Sequence, residues 1–75
     1  MTIDDANSHD LARGDNPDIL AFLAFAGDKI SRYFVANNIN AEDNTLESLS
    51  GDRLSYVRSA ARRTLQKKRE ISPQI

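Results

Sequence analysis

Asp15-Asn16-Pro17-Asp18-Ile19-Leu20-Ala21-Phe22-Leu23-Ala24-Phe25-Ala26 carries the strongest structural instruction in the chain. An Asp or Asn cap, Pro at the first helical position and an acid in the first turn satisfy or complement the free N–H groups of a helix start. A helix is therefore expected to begin there. Beyond it, Ile19, Leu23, Ala26, Ile30, Tyr33 and Phe34 recur at spacings of three and four, the signature of one buried helical face running on to Asn37. Asn37-Asn38 is expected to close the helix with an Asn in the left-handed position and Ile39 folded back onto Phe34 or Val35.

The run from Ile19 to Ala26 is eight apolar residues in succession. At about 100° per residue these side chains encircle the helix, so a single packed face cannot hide them all. Either a short neighbouring helix and the tails cover the excess, or a second molecule does, since contiguous exposed apolar area mostly marks interfaces. The candidate interface residues are Leu20, Phe22 and Phe25, joined by the small-residue stripe Ala24, Gly27 and Ser31. Gly within a helix costs about 1 kcal/mol relative to Ala, which suggests a close helix crossing or a mild kink.

Working outward toward the C-terminus, Asn44-Thr45-Leu46-Glu47 has the spacing of a capping box, predicting a short helix through Leu49. Ser50-Gly51-Asp52 then breaks the chain, and a last helix is expected from about Asp52 to Arg69, with Leu54, Val57, Ala61 and Leu65 on one face. Ile71-Ser72-Pro73 ends it, because the residue before a proline avoids helical geometry. Working outward toward the N-terminus, residues 1–14 are polar with isolated apolar positions and are expected to form a mobile acidic tail. The domain expected from these signals covers 15–71, followed by a tail at 72–75.

Charge is uneven along the 75 residues, whose net charge is −1. Residues 1–29 carry Asp4, Asp5, Asp10, Asp15, Asp18 and Asp28 against Arg13 and Lys29, giving −4. Residues 30–50 carry Glu42, Asp43 and Glu47 against Arg32, giving −2. Residues 51–75 carry Arg53, Arg58, Arg62, Arg63, Lys67, Lys68 and Arg69 against Asp52 and Glu70, giving +5. The basic helix is read first as a solvated face with cations toward its C-terminus, where the helix dipole favours them. The sharper alternative is phosphate contact by Arg58, Arg62, Arg63, Lys67 and Lys68, with Tyr56 and Arg63 as candidate stacking or groove groups. Leu46, Leu49, Gly51 and Val57 give a loose helix-turn-helix match, weakened by Asp52 in the turn and by Glu47 where a small residue is usual.

The remaining chemistry is sparse. The chain has no cysteine, which removes disulfides and thiolate metal sites as stabilising devices. A chain of this size buries only about 60% of its unfolded surface, so oligomerisation is the favoured route to stability. His9 stands among Asp4, Asp5 and Asp10 on a segment expected to lack a rigid frame, so a solvated histidine is expected there and no metal site. No Ser/His/acid set is anchored on elements expected to fold, and no glycine-rich phosphate loop is present, so neither catalysis nor a cofactor is expected. The acidic start and the lack of any membrane-length apolar run lead to a cytoplasmic expectation. The expected fold is all-α, an antiparallel helical hairpin with a short connecting helix, dimerising into a helical bundle. The expected function is that of a non-enzymatic regulatory or adaptor protein acting through a helical interface, as a homodimer or with a partner protein. The alternative is a nucleic-acid-binding regulator using the C-terminal helix.

Overall fold

Asn16 starts its helix as its chemistry requires: the carboxamide oxygen accepts from the N–H groups of Asp18 at 3.0 Å and Ile19 at 3.3 Å, with Pro17 in the first turn. The computed structural model describes residues 5–71, which form five helices: α1 (Asp5–Ala12), α2 (Pro17–Ala26), α3 (Lys29–Ala36), α4 (Asp43–Leu49) and α5 (Ser55–Ile71). The expected tail at 72–75 and the first four residues of the N-terminal one lie outside the described residues. Among the described residues there is no strand, and no helix is long and apolar enough to cross a membrane.

The expected hairpin of two long helices is replaced by this five-helix arrangement, chiefly because the first long helix is broken at Gly27-Asp28. Gly27 leaves the helix in an extended conformation, and its N–H still donates to the Leu23 carbonyl at 2.8 Å. Asp28 then caps α3, its carboxylate accepting from the Ser31 N–H at 2.7 Å. A side chain at position 27 would run into the Leu23 carbonyl oxygen and stand 2.9 Å from Ser31 Cβ. The break re-phases the apolar pattern. Leu23 stays buried and Ile19, Tyr33 and Phe34 are half-buried, but Ala26 and Ile30 from the same expected face are exposed.

Residues 5–12, expected within a mobile tail, are helical, and the end of this helix joins the core. Ala12 is fully buried, Leu11 is half-buried, and the hydroxyls of Ser8 and Ser31 share a hydrogen bond at 2.7 Å. The Asn38 amide donates to the carbonyls of Ala12 at 3.0 Å and Gly14 at 2.8 Å, closing the end of α1. Asn38 therefore acts across the fold through its side chain. The left-handed Asn expected after α3 is not formed: no described residue has a positive φ, and Asn37 sits at φ −93°, ψ 3°.

The capping box expected at Asn44 is also absent, since α4 starts at Asp43 and its cap, Glu42, makes no side-chain hydrogen bond to the helix end. The last helix starts three residues later than expected because Asp52 is used in the turn. Its carboxylate accepts from the Leu54 N–H at 3.0 Å and from Arg32 Nε at 2.9 Å. That ion pair is mostly shielded from solvent and ties α3 to the α4–α5 connection.

Packing places α3 in the middle, touching every other helix. α4 bridges α2 and α5, and α1 and α2 make no contact with α5. The core joins Leu20 and Leu23 of α2, Val35 and Ala36 of α3, and Leu46 and Leu49 of α4 to Val57, Ala60, Ala61 and Leu65 of α5. Small residues let α5 approach α3 closely enough for Thr64 Oγ1 to donate to the Ala36 carbonyl at 2.6 Å. Its hydroxyl is thereby satisfied inside the core, as a buried polar group must be.

Candidate functional site: two outward helix faces

On α2 the inward face is Leu20 and Leu23, supported by half-buried Ile19 and Ala24. The opposite stripe, Asp18, Ala21, Phe22, Phe25 and Ala26, follows helical spacing and is exposed throughout. Phe22 is 55% exposed and Phe25 90% exposed, on a helix whose other large apolar side chains, Ile19, Leu20 and Leu23, are buried or half-buried. Alongside lies a shallow groove of about 250 Å³ between α2 and α4, lined by Ala21, Ala24, Phe25, Glu42, Asn44 and Thr45, with Ser48. Asp18 stands at the N-terminal end of the apolar stripe, and exposed Lys29 follows its C-terminal end in the first turn of α3.

Of the interface residues expected from sequence, the structure brings Phe22 and Phe25 to the surface and leaves Ala24 at its edge. The other three serve the interior. Leu20 has no exposed surface, Ser31 is bonded to Ser8, and Gly27 sits where no Cβ fits. The small-residue stripe thus serves a close approach within the chain, at the α2–α3 break. Ala21 and Ala26 of α2 and Ile30 of α3 are exposed as well, although the sequence pattern puts Ala26 and Ile30 on the buried face.

On α5 the inward face is Val57, Ala60, Ala61, Thr64 and Leu65, and the outward one carries Tyr56, Ser59, Arg62, Arg63, Gln66 and Lys67. The six residues expected as nucleic-acid contacts divide into two sets. Arg58 donates to the Asp52 carbonyl at 2.8 Å, and Lys68 donates to the Ala41 carbonyl at 2.6 Å and pairs with Asp43 at 2.8 Å. These two cations hold turns in place. The Lys68 hydrogen bond also holds the Asp43 carboxyl below its ordinary pKa. Arg62, Arg63 and Lys67 are exposed and make no hydrogen bond or ion pair among the described residues. Tyr56 is 45% exposed, its ring edge-on to Tyr33 at 5.4 Å.

His9 is fixed by structure after all: Nε2 lies 3.1 Å from Asp28 Oδ2, and the ring meets Phe34 edge-on at 5.9 Å. Among the described residues no three His, Cys, Asp or Glu side chains group to hold a metal. Comparison with known proteins finds no family, no curated protein and no solved structure that matches this chain.

Proposed function

We propose that this chain is a small non-enzymatic regulatory or adaptor protein that works through a helical interface, and that the outward face of α2 receives a second copy of the chain. The observation that carries the proposal is Phe25, 90% exposed beside Phe22 at 55% on one stripe. Two large aromatic groups left in water on one stripe are the anchors an interface core uses. Charge favours a second copy over an unrelated surface. Asp18 and Lys29 bracket the apolar stripe, so two copies meeting antiparallel across a two-fold axis set each acid near the other's cation.

A two-fold pairing of this kind brings four phenylalanines together. Burying such a side chain contributes roughly 1.5–3 kcal/mol, against which association and side-chain ordering must be set, so a reversible dimer of modest affinity is expected. Sedimentation equilibrium from about 1 μM to about 500 μM should show the average mass rising from one chain toward two. Phe25→Asp should hold the protein at the single-chain mass with its helical circular dichroism unchanged. A single-chain mass for the native protein across that range, or association that Phe25→Asp leaves intact, refutes the dimer.

A further inference from the structure

We infer that the outward face of α5 is a binding surface for duplex DNA, with the helix lying against the major groove and Arg62, Arg63 and Lys67 on phosphates. Every side chain along this stripe, Tyr56, Ser59, Arg62, Arg63, Gln66 and Lys67, can donate a hydrogen bond. Guanidinium, ammonium, hydroxyl and amide donors are the groups that contact DNA backbone and base edges. No carboxylate occurs between Asp52 and Glu70, so nothing on the stripe repels a polyanion. From Tyr56 to Lys67 the stripe extends about 16 Å, three turns of helix, on a rod narrow enough to enter a groove about 12 Å wide.

Two features outside the helix support the same surface. Asp10 of α1 and Asp18 of α2 lie on helices that do not touch α5, and the acid that does reach it, Asp43 of α4, is paired with Lys68 off the stripe. Beside the stripe, a groove of about 430 Å³ runs between α5 and the chain at Asn37 and Ile39, with Arg63, Gln66 and Lys67 on the α5 wall. Lys67 also lines the adjoining hollow, where Arg13 stands 5.3 Å over the Phe34 ring. Glu70 alone among the groove's lining residues carries a carboxylate. A membrane surface fits less well, because the stripe has no aliphatic wedge to insert between lipids.

The test is fluorescence anisotropy of a mixed-sequence duplex of about 20 base pairs, titrated with the full chain at 50 and 200 mM salt. Three neutralised phosphates give a logarithmic salt slope of about −2.7, so affinity should fall roughly 40-fold across that range for each bound subunit. Arg62→Ala combined with Arg63→Ala should reduce the fall to about 3- to 4-fold and weaken binding at low salt. Lys67→Ala alone should lower the slope by about 1. All three side chains are exposed and have no partner among the described residues, so unchanged circular dichroism and melting will show that the variants are folded. No binding at 50 mM salt, a salt slope the double variant does not change, equal affinity for the single strand, or tighter binding to a polyglutamate peptide of similar charge overturns the assignment.

Discussion

α2 and α5 solve the same packing problem and leave opposite surfaces behind. Each buries one face against α3 and α4: Leu20 and Leu23 from the first, Val57, Ala60, Ala61 and Leu65 from the second. Outward, α2 shows phenylalanine and alanine, whereas α5 shows hydroxyl, amide and cationic groups. Interior requirements explain the inward faces and are silent about the outward ones. Function is therefore best sought where side-chain chemistry is not needed for folding: an aromatic stripe suited to a dry contact, and a donor stripe suited to a wet, charged one.

The largest effect that can break this comparison lies within α2 itself. Leu20→Ala removes a fully buried side chain and should lower unfolding stability by about 2–5 kcal/mol. Phe25→Ala, on the opposite face of the same helix, should change it by no more than about 0.5 kcal/mol at concentrations where the chain is monomeric. Urea unfolding of the two variants reads both numbers. Comparable losses would mean that Phe25 is packed inside the subunit, and the division into inner and outer faces would go with it.

How much of this division was legible in the sequence depended on whether the signal was local. Asn16-Pro17 marks the start of α2 through its own N–H chemistry, and Leu46, Leu49, Val57, Ala61 and Leu65 are core residues at helical spacings. The surplus of apolar residues at 19–26 rightly implied exposed ones, and Phe22 and Phe25 are exposed. Which residues turned inward was not readable, because the register depends on the break at Gly27 and on the cover that α1 provides. That cover rests on Ala12 and Leu11 and on polar ties, Ser8 to Ser31, His9 to Asp28 and Asn38 to the Ala12 carbonyl, too few apolar positions to produce a periodic pattern. On α5 the cations look alike in sequence. Only the turns at Ala41–Asp43 and Asp52 decide that Lys68 and Arg58 are occupied while Arg62, Arg63 and Lys67 have no partner among the described residues.

A smaller effect sharpens the account of the break. At an ordinary solvent-exposed helix position Gly→Ala stabilises, by restricting the unfolded chain. At Gly27 the added carbon meets the Leu23 carbonyl oxygen and, at 2.9 Å, Ser31 Cβ, two groups anchored in the helix and the core. Overpacking of that kind costs about 1–3 kcal/mol. Gly27→Ala should accordingly shift the urea midpoint down. A midpoint that rises would show one continuous helix through 27 to be accessible, with the two faces of α2 set by something other than the break.

The smallest effect concerns the other half of that break, Asp28. The Ser31 backbone N–H donates to its carboxylate and lowers its pKa below the ordinary 3.8; burial opposes this shift, and hydrogen bonds from His9 and the Ser31 hydroxyl reinforce it. A carboxyl whose pKa is lower folded than unfolded adds stability above the unfolded value and loses it as pH falls through the folded one. The contribution should thus be complete at neutral pH and begin to fade below about pH 4. Asp28→Asn keeps an acceptor for the Ser31 N–H, because Asn caps helices nearly as well as Asp, but it removes the titrating group. At pH 7 the variant should be less stable by under about 1 kcal/mol, the scale of a partly exposed charge-assisted bond. The gap between native and variant urea midpoints should then narrow toward pH 2. A gap that stays constant from pH 7 to pH 2 would mean that Asp28 acts only through the shape of its cap, and that its charge contributes nothing to holding α1 and α2 beside α3.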